Sequence, residues 1–213
     1  TVALTLGWSR DSRDNSLAPT RGVYQRLNGE FALPGFDIQY YKATYQYQQY
    51  IPLSRTWTLA FNGEVGWGDV YGKTDEFPFF KNFYAGGIGS VRGYNSGSLG
   101  PKEYDPYDGD SDNLGGDRML TGSIEILAPL PGGDRTLRVF GFLDAGYVWG
   151  YEGVGVRQYR RQSMSLSDLR YSTGIGVAWI SPLGPLKFSI AAPLNDKDGD
   201  DIQRFQFQIG TGF

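Results

Sequence analysis

The chain contains no cysteine and no histidine among its 213 residues. These absences exclude disulfides, thiolate chemistry, a Ser-His-Asp triad and the usual nitrogen and sulfur zinc sites. A dominant charge is missing as well, because 20 basic residues stand against 23 acidic ones. Without a basic stripe, the chain has little to neutralise nucleic-acid phosphates. We therefore expect neither an enzyme of the common classes nor a cofactor, a metal or a nucleic-acid partner.

Long apolar runs are also absent. No stretch approaches the ~20 apolar residues that a membrane-spanning helix requires, and the mean hydropathy is −0.38. Glycine and aromatic residues are abundant instead, with 31 Gly, 15 Tyr, 13 Phe and 5 Trp. This composition suits the strands, turns and aromatic girdles of a membrane barrel, in which every second residue meets lipid. The chain also starts inside a strand-like pattern without methionine, which we interpret as a mature or truncated piece.

Alternation of apolar and polar residues with a period of two is the main structural signal. The two faces of the clearest segment are Leu59, Phe61, Val65 and Trp67 on one side and Ala60, Asn62, Glu64, Gly66 and Gly68 on the other. About eight or nine such segments predict an all-β fold, a transmembrane antiparallel β-barrel that forms one domain over residues 1–213. A soluble sandwich is the alternative. Small or polar residues along the whole second face favour a filled lumen instead.

The connections between these segments alternate in length. Tight turns lie at 52–55, 131–134 and 181–184, and longer polar loops at about 70–116, 150–166 and 194–201. This alternation is typical of outer-membrane barrels, and the short connection at 34–36 is expected on the long-loop side. The acidic runs at 105–112 and 196–201 lack the glycine and glutamate spacing of an EF-hand. We interpret them as solvated loops, with weak cation binding as the alternative.

A glycine-rich loop carries one arginine in the sequence Gly86-Gly87-Ile88-Gly89-Ser90-Val91-Arg92-Gly93-Tyr94. Its spacing does not match a dinucleotide fingerprint, and no helix follows to receive a phosphate. Glycine instead permits tight folding, and arginine can make a forked contact with carboxylates. Strand parity places Glu125 and Asp144 on the lumen side. They are candidates for this contact, while solvated carboxylates and a glycosidase pair remain the alternatives.

The last segment alternates up to the final residue. Phe205, Phe207, Ile209 and Phe213 form one face against Gln206, Gln208, Gly210 and Gly212. A closing aromatic strand resembles the address that the outer-membrane assembly machinery reads, and an ordinary amphipathic edge strand is the alternative. Gly210 is expected to weaken or kink this strand, because glycine packs poorly in strands and marks bends.

Together these motifs resemble the BamA family of outer-membrane protein assembly factors. The resemblance covers nearly the whole chain and is most specific at residues 82–102, which contain the Val-Arg-Gly-aromatic motif, residues 91–94, and Leu99-Gly100-Pro101-Lys102. It implies that Arg92 folds back into the barrel and contacts Glu125 and Asp144. It also implies a bacterial outer-membrane location and a lateral seam between the first and last strands. There a client strand is added, and no covalent bond is broken.

The resemblance further implies partners and a size. The partners are nascent outer-membrane proteins, other subunits of the barrel assembly complex, and outer-membrane lipid including lipopolysaccharide. About nine strands correspond to the C-terminal half of a sixteen-stranded barrel, without its periplasmic domains and without the first strand of the seam. Such a piece has to close on itself, pair with a second copy as a homodimer, or exist only in detergent, because a spanning strand cannot leave an edge in lipid. A passive pore or polypeptide secretion channel is the alternative function, and a purely structural anchor is a third.

Overall fold

The computed structural model describes residues 1–104, 111–130, 136–153, 159–182 and 184–210. The turn expected at 131–134, most of the acidic run at 105–112 and the final aromatic residue, Phe213, lie outside these ranges. No helix within the described ranges is long and apolar enough to cross a membrane.

The described residues form fifteen strands and two single-turn 3-10 helices, Phe79–Lys81 and Leu166–Asp168. In chain order the strands are β1 (Ala3–Asp11), β2 (Gly22–Ala32), β3 (Tyr40–Pro52), β4 (Thr58–Val70), β5 (Gly93–Tyr94), β6 (Lys102–Tyr104), β7 (Ser111–Asn113), β8 (Arg118–Pro129), β9 (Leu137–Trp149), β10 (Tyr151–Gly153), β11 (Tyr159–Arg161), β12 (Arg170–Ser181), β13 (Gly184–Pro193), β14 (Ile202–Gln203) and β15 (Phe205–Ile209). The predicted all-β fold is confirmed.

Nine of these strands form one antiparallel sheet in the order β1-β2-β3-β4-β8-β9-β12-β13-β15. Every neighbour in the sheet is also the next long strand along the chain, so the sheet is a simple meander. The six short strands make three separate pairs, β5 with β14, β6 with β7 and β10 with β11. Among the described residues β1 and β15 are the two ends of the sheet, which is therefore not closed.

The two faces of the sheet differ as the alternation predicts. On the outer face, Leu6, Ile175 and Ile209 remain 68%, 68% and 67% exposed, as suits side chains that meet lipid. On the inner face, Asp144 and Ser172 are fully buried. The inner face is buried by the long connection from β4 to β8, which folds back over the sheet. The inner face therefore lines a filled lumen, as the small and polar residues on that side of the strands predicted.

The connections lie at the two ends of the strands as expected. Because successive strands of the sheet run in opposite directions, the connections β1–β2, β3–β4, β8–β9 and β12–β13 start from one end of the strands, and the connections β2–β3, β4–β8, β9–β12 and β13–β15 start from the other. The connection 12–21 is longer than the other turns at its end. It folds over the inner face, where Arg138 donates hydrogen bonds to the carbonyl oxygens of Ala18 (2.8 Å) and Pro19 (2.9 Å).

The end of β9 departs from the expected exposure. Tyr147 and Trp149 share strand parity with the outward Leu143, yet both are buried while Leu143 is 46% exposed. The connection that follows β9 covers this end of the strand. Its Asp168 accepts a hydrogen bond from the Trp149 Nε1 at 3.2 Å, and the guanidinium of Arg170, the first residue of β12, lies 5.2 Å from the Tyr147 ring centre. Strand parity therefore fails to predict lipid exposure where a loop covers the end of a strand.

Candidate functional site

The candidate site begins with the tight fold of the glycine-rich loop. Gly86, Gly87 and Gly93 adopt φ values of 109°, 92° and 91°, which favour glycine over residues with a Cβ. The Gly87 N–H points at the carbonyl oxygens of Val91 (3.1 Å) and Tyr94 (3.0 Å). The loop tip thereby closes on itself and presents Arg92 to the wall of the sheet.

Arg92 binds Asp144 of β9 through three hydrogen bonds. The guanidinium donates from Nε to Oδ2 (2.7 Å) and from Nη2 to Oδ1 (2.6 Å), and the backbone N–H donates to Oδ2 (3.0 Å). The two side chains are 3% and 0% exposed. Forked, charge-assisted geometry of this kind is among the strongest polar contacts in proteins. The contact fixes both the side chain and the main chain of the loop.

A second carboxylate completes the charge balance around Arg92. Its Nη1 donates to Glu125 of β8 at 2.5 Å and its Nη2 donates to the Ser123 hydroxyl at 2.8 Å. Glu125 also accepts from the Lys187 Nζ of β13 at 3.1 Å. Two cations, Arg92 and Lys187, therefore lie beside two anions, Glu125 and Asp144, on the inner face of the sheet. Burial opposes the charge of Arg92, but the hydrogen bonds to Asp144 and the charge of Glu125 hold the pKa of its guanidinium above its ordinary value.

Aromatic rings cover the remaining face of the guanidinium. The Phe142 ring centre is 3.6 Å from the Arg92 Cζ, a cation–π distance. This ring in turn occupies space that a side chain at Gly174 would need, because a Cβ there would lie 2.7 Å from the Phe142 Cζ. Glycine in the neighbouring strand therefore lets the ring lean towards the loop and exclude water from the ion pair.

The residues next to Arg92 extend the contact across the sheet, and we call residues 91–94 the strap. Val91 packs where Gly146 of β9 has no side chain, since a Cβ there would lie 2.8 Å from the Val91 Cγ2. Gly93 approaches Ala191 of β13, to which a Cβ on Gly93 would be 3.2 Å distant. The strap thus depends on small residues at both surfaces where they meet.

Tyr94 carries the strap to the last strand. Its hydroxyl donates to the carbonyl oxygen of Tyr171 in β12 at 3.4 Å, and its own carbonyl oxygen accepts from the Gln206 Nε2 of β15 at 2.7 Å. Burial, followed by the nearby charge of Asp200, raises the pKa of Tyr94 to about 12. The four residues of the strap therefore contact β8, β9, β12, β13 and β15 in succession.

The base of the same loop is anchored to the other half of the sheet. Lys81 forms an ion pair with Glu30 of β2 at 2.6 Å, and the Lys42 Nζ of β3 donates to the Lys81 carbonyl oxygen at 2.6 Å. The Phe83 ring fills the space above Gly66 of β4, where a Cβ would lie only 2.6 Å from Cε1. The long loop is held along its length and not at the tip alone.

The candidate residues fall into two groups. Val91, Arg92, Gly93 and Tyr94 are buried, and Arg92 contacts Glu125 and Asp144. The closing-strand residues Phe205, Phe207 and Ile209 lie on the exposed outer face, and β15 ends before Gly210, which has a φ of 105°. Four further residues contribute to the site without having been assigned to it from the sequence: Ser123, Phe142, Lys187 and Gln206. Ser123 and Gln206 have the inward parity that marked Glu125, but parity alone does not say which inward residue the loop meets.

Within the described ranges no three His, Cys, Asp or Glu residues are placed to hold a metal ion. A cavity of about 90 Å³ lies between the loop tip at 88–90 and the connection at 17–19. The arrangement is suited to holding one segment firmly inside a sheet.

An inward loop fixed to an amphipathic meander defines the filled wall of an outer-membrane barrel. The family model described as "Omp85 superfamily domain" matches residues 1–213. The chain therefore belongs to the Omp85 superfamily. The outer-membrane location predicted from the sequence is confirmed by this membership.

Relatives and a solved structure show the same relationship. The outer membrane protein assembly factor BamA of Neisseria meningitidis serogroup B is 48% identical over 98% of this chain and 28% of its own length. BamA of Nitratidesulfovibrio vulgaris is 32% identical over 97% of this chain and 25% of its own length. The crystal structure of Haemophilus ducreyi BamA lacking POTRA domains 1–3 superposes with a TM-score of 0.82 and 32% identity, covering 96% of this chain and 41% of that one. The chain therefore spans about a quarter of the length of these two curated relatives.

Proposed function

We propose that this chain forms part of an outer-membrane assembly factor, which folds client β-barrels and inserts them into the membrane. The observation that carries the proposal is the strap, because a lumen-filling loop fixed to five strands suits a protein that guides strands better than one that conducts solutes. The 48% identity to an assembly factor over nearly the whole chain supports it.

The chemistry of this function is strand pairing. Among the described residues β15 pairs with β13 alone in the large sheet, so its other edge carries the backbone groups to which a client strand adds. The outward Phe205 and Phe207 offer apolar surface beside that edge. Gly210, which follows β15, has a positive φ, and its N–H donates to the Pro185 carbonyl oxygen at 2.9 Å. No covalent bond changes during such a reaction.

The proposal includes partners of three kinds. Nascent outer-membrane proteins are the clients, the other subunits of an assembly complex bind the remainder of the protein, and outer-membrane lipid including lipopolysaccharide covers the apolar face. Pairing of two copies through their sheet edges is a further proposal for the isolated chain. Native mass spectrometry in lipid nanodiscs measures it directly, and a strictly monomeric mass contradicts it.

The alternative is a passive pore or secretion channel of the same superfamily. The strap and the connection 12–21 both occupy the inner face, and Arg138 fixes the latter through two hydrogen bonds. A lumen filled from both ends of the strands opposes steady conductance. The two functions therefore predict different results in the same lipid.

The test compares client folding and conductance for the full-length protein. We expect client barrels to fold faster into liposomes that contain the protein than into empty ones, and planar bilayers to show no large steady current. Arg92→Ala should slow client folding, whereas Arg55→Ala, in an exposed tight turn, should not. Steady currents without any acceleration of client folding contradict the proposal.

A further inference from the structure

The inner face of the closing strand carries a glutamine that contacts the strap. Gln206 is 5% exposed, and its Nε2 donates to the Tyr94 carbonyl oxygen at 2.7 Å. The same carbonyl oxygen also accepts from the Gly87 N–H at 3.0 Å, and a hydrogen bond that is shielded from water is electrostatically stronger than an exposed one. This hydrogen bond therefore links β15 to the loop with a strength that an exposed contact does not have.

The segment that leads into the closing strand is also paired with the loop. Ile202 and Gln203 form the strand β14, which pairs antiparallel with Tyr94 and Gly93 of β5. Beyond this pair, the Asn95 N–H donates to the Asp201 carbonyl oxygen at 2.8 Å, and the Asn95 Nδ2 donates to the Asp201 carboxylate at 2.7 Å. The loop and the start of the closing strand thus share a short ladder of their own.

The large sheet itself holds the closing strand by a short ladder. Within the described residues 184–210, the register of β15 on β13 covers five residue pairs, from Leu186–Ile209 to Ile190–Phe205. The register of β13 on β12 covers ten. With about half the ladder of its neighbour, β15 relies more on other contacts to keep its position, and the contacts described above are with the loop.

We infer that Gln206 is a positioning residue that ties the closing strand to the contacts of Arg92 with Asp144 and Glu125, which we call the Arg92 lock. Tyr94 is two residues from Arg92, so one short stretch of backbone connects Asp144 and Glu125 to the last strand. The first residues of β15 separate from β13 only after this tie is broken. The role of the Gln206–Tyr94 contact at the seam rests on the proposed function, whereas the contact itself is a property of the folded protein.

Coupling of this kind acts in both directions, because a free energy shared between two sites is reciprocal. Loosening the Arg92 lock should release the closing strand, and pulling the closing strand away should loosen the strap. A client strand that adds to the edge of β15 would therefore be sensed by the loop inside the lumen.

Hydrogen exchange on the full-length protein in lipid nanodiscs tests the tie. Gln206→Leu removes the donor, and we expect exchange about tenfold faster or more in peptides that cover residues 201–207 and 91–95. Gln208→Leu is the matched control, because Gln208 lies on the same face of β15 and its Oε1, like that of Gln206, accepts no hydrogen bond, whereas the contact with Tyr94 is made by Gln206. It should leave the exchange of residues 91–95 unchanged. Equal exchange of both segments in the two variants and the wild type overturns the inference.

A milder variant covers the case in which Gln206→Leu fails to fold. Asn95→Ala removes the side-chain donor to Asp201 from a half-buried loop residue and should speed exchange at residues 201–203 while leaving β12 and β13 protected. No change at 201–203 overturns the inference as well. Client folding separates it from the proposed function: if the exchange changes occur but the wild-type protein accelerates no client, the tie stands and the assembly function fails.

Discussion

Asp144 accepts three hydrogen bonds from one residue, because Arg92 donates to it from Nε, from Nη2 and from its own backbone N–H. The backbone contact means that the carboxylate orients the main chain of the loop as well as neutralising a charge. Lysine in place of Arg92 would keep the charge but lose the fork. The contact is therefore specific for arginine in geometry.

Removing the arginine should destabilise the protein strongly. Arg92→Ala leaves Asp144 buried without its partner, and breaking a buried pair in this way costs roughly 3–5 kcal/mol. The measurement is the free energy of unfolding by urea in lipid vesicles. Since Lys187 still reaches Glu125 at 3.1 Å, we expect Asp144 to account for most of the loss.

A double-mutant cycle identifies the cause of that loss. When Asp144→Asn and Glu125→Gln have already neutralised both partners, Arg92→Ala should cost much less than in the wild type. Losses that simply add would mean that Arg92 acts elsewhere, and the lock described above would be wrong.

Space at the wall of β4 should limit how the loop packs. A Cβ on Gly66 would lie 2.6 Å from the Phe83 ring, so Gly66→Ala should displace the loop and destabilise the protein by about 1–3 kcal/mol. Phe83→Ala in the same chain should remove the clash and reduce the additional cost of Gly66→Ala. Unfolding free energies of the four variants measure this.

The control for this prediction is another glycine of the same strand. Gly63 has its nearest neighbour, the Thr121 carbonyl oxygen, 3.7 Å from an added Cβ, and Gly63→Ala should be tolerated. Equal losses at Gly63 and Gly66 would show that strand propensity, not contact with Phe83, sets the cost.

The sequence was sufficient for the strands and for the two acidic wall residues, for a simple physical reason. A period of two sends alternate residues to opposite faces, so the parity of Glu125 and Asp144 could be counted from their apolar neighbours. The loop arginine stood out because few other groups in a glycine-rich stretch can pair with buried carboxylates. Family resemblance then supplied the pairing itself.

Contacts between segments distant in the chain could not be predicted in this way. Gln206 has the same parity and chemistry as Gln208, and only the path of the loop makes one of them a donor to Tyr94. Trp149 has outward parity but is covered by the following loop. Gly66 belongs to the small-residue face, yet its use as space for Phe83 depends on where the loop folds. Such features belong to tertiary packing, which has no local period.

Alkaline pH should loosen the strap through Tyr94. Its folded-state pKa of about 12 lies above the ordinary 10.0, so folding favours the neutral phenol. The contribution is fully present below pH 10 and is lost as the pH rises through 12. Unfolding free energies measured across this window should fall more steeply for the wild type than for Tyr94→Phe. Parallel profiles would contradict the assignment.

The bend at Gly210 should control the end of the closing strand. A β-branched residue disfavours a φ of 105°, so Gly210→Val should extend β15, reduce opening at the seam and slow client insertion. Gly29→Val is the control, because Gly29 also has open space around an added Cβ but no positive φ. Unchanged client insertion in Gly210→Val would remove Gly210 from the mechanism.

The contacts of the strap also differ in how far apart they lie along the chain. The partners are separated by 33 residues for Glu125, 52 for Asp144, 77 for Tyr171 and 112 for Gln206. Each later contact closes a larger loop and becomes available only when another strand has joined the sheet. The contact with Gln206 therefore forms only after β15 has joined the sheet. During biogenesis, this hydrogen bond reports the arrival of β15, and a chain arrested before β15 keeps its Arg92 contacts but leaves the strap without a partner on that strand.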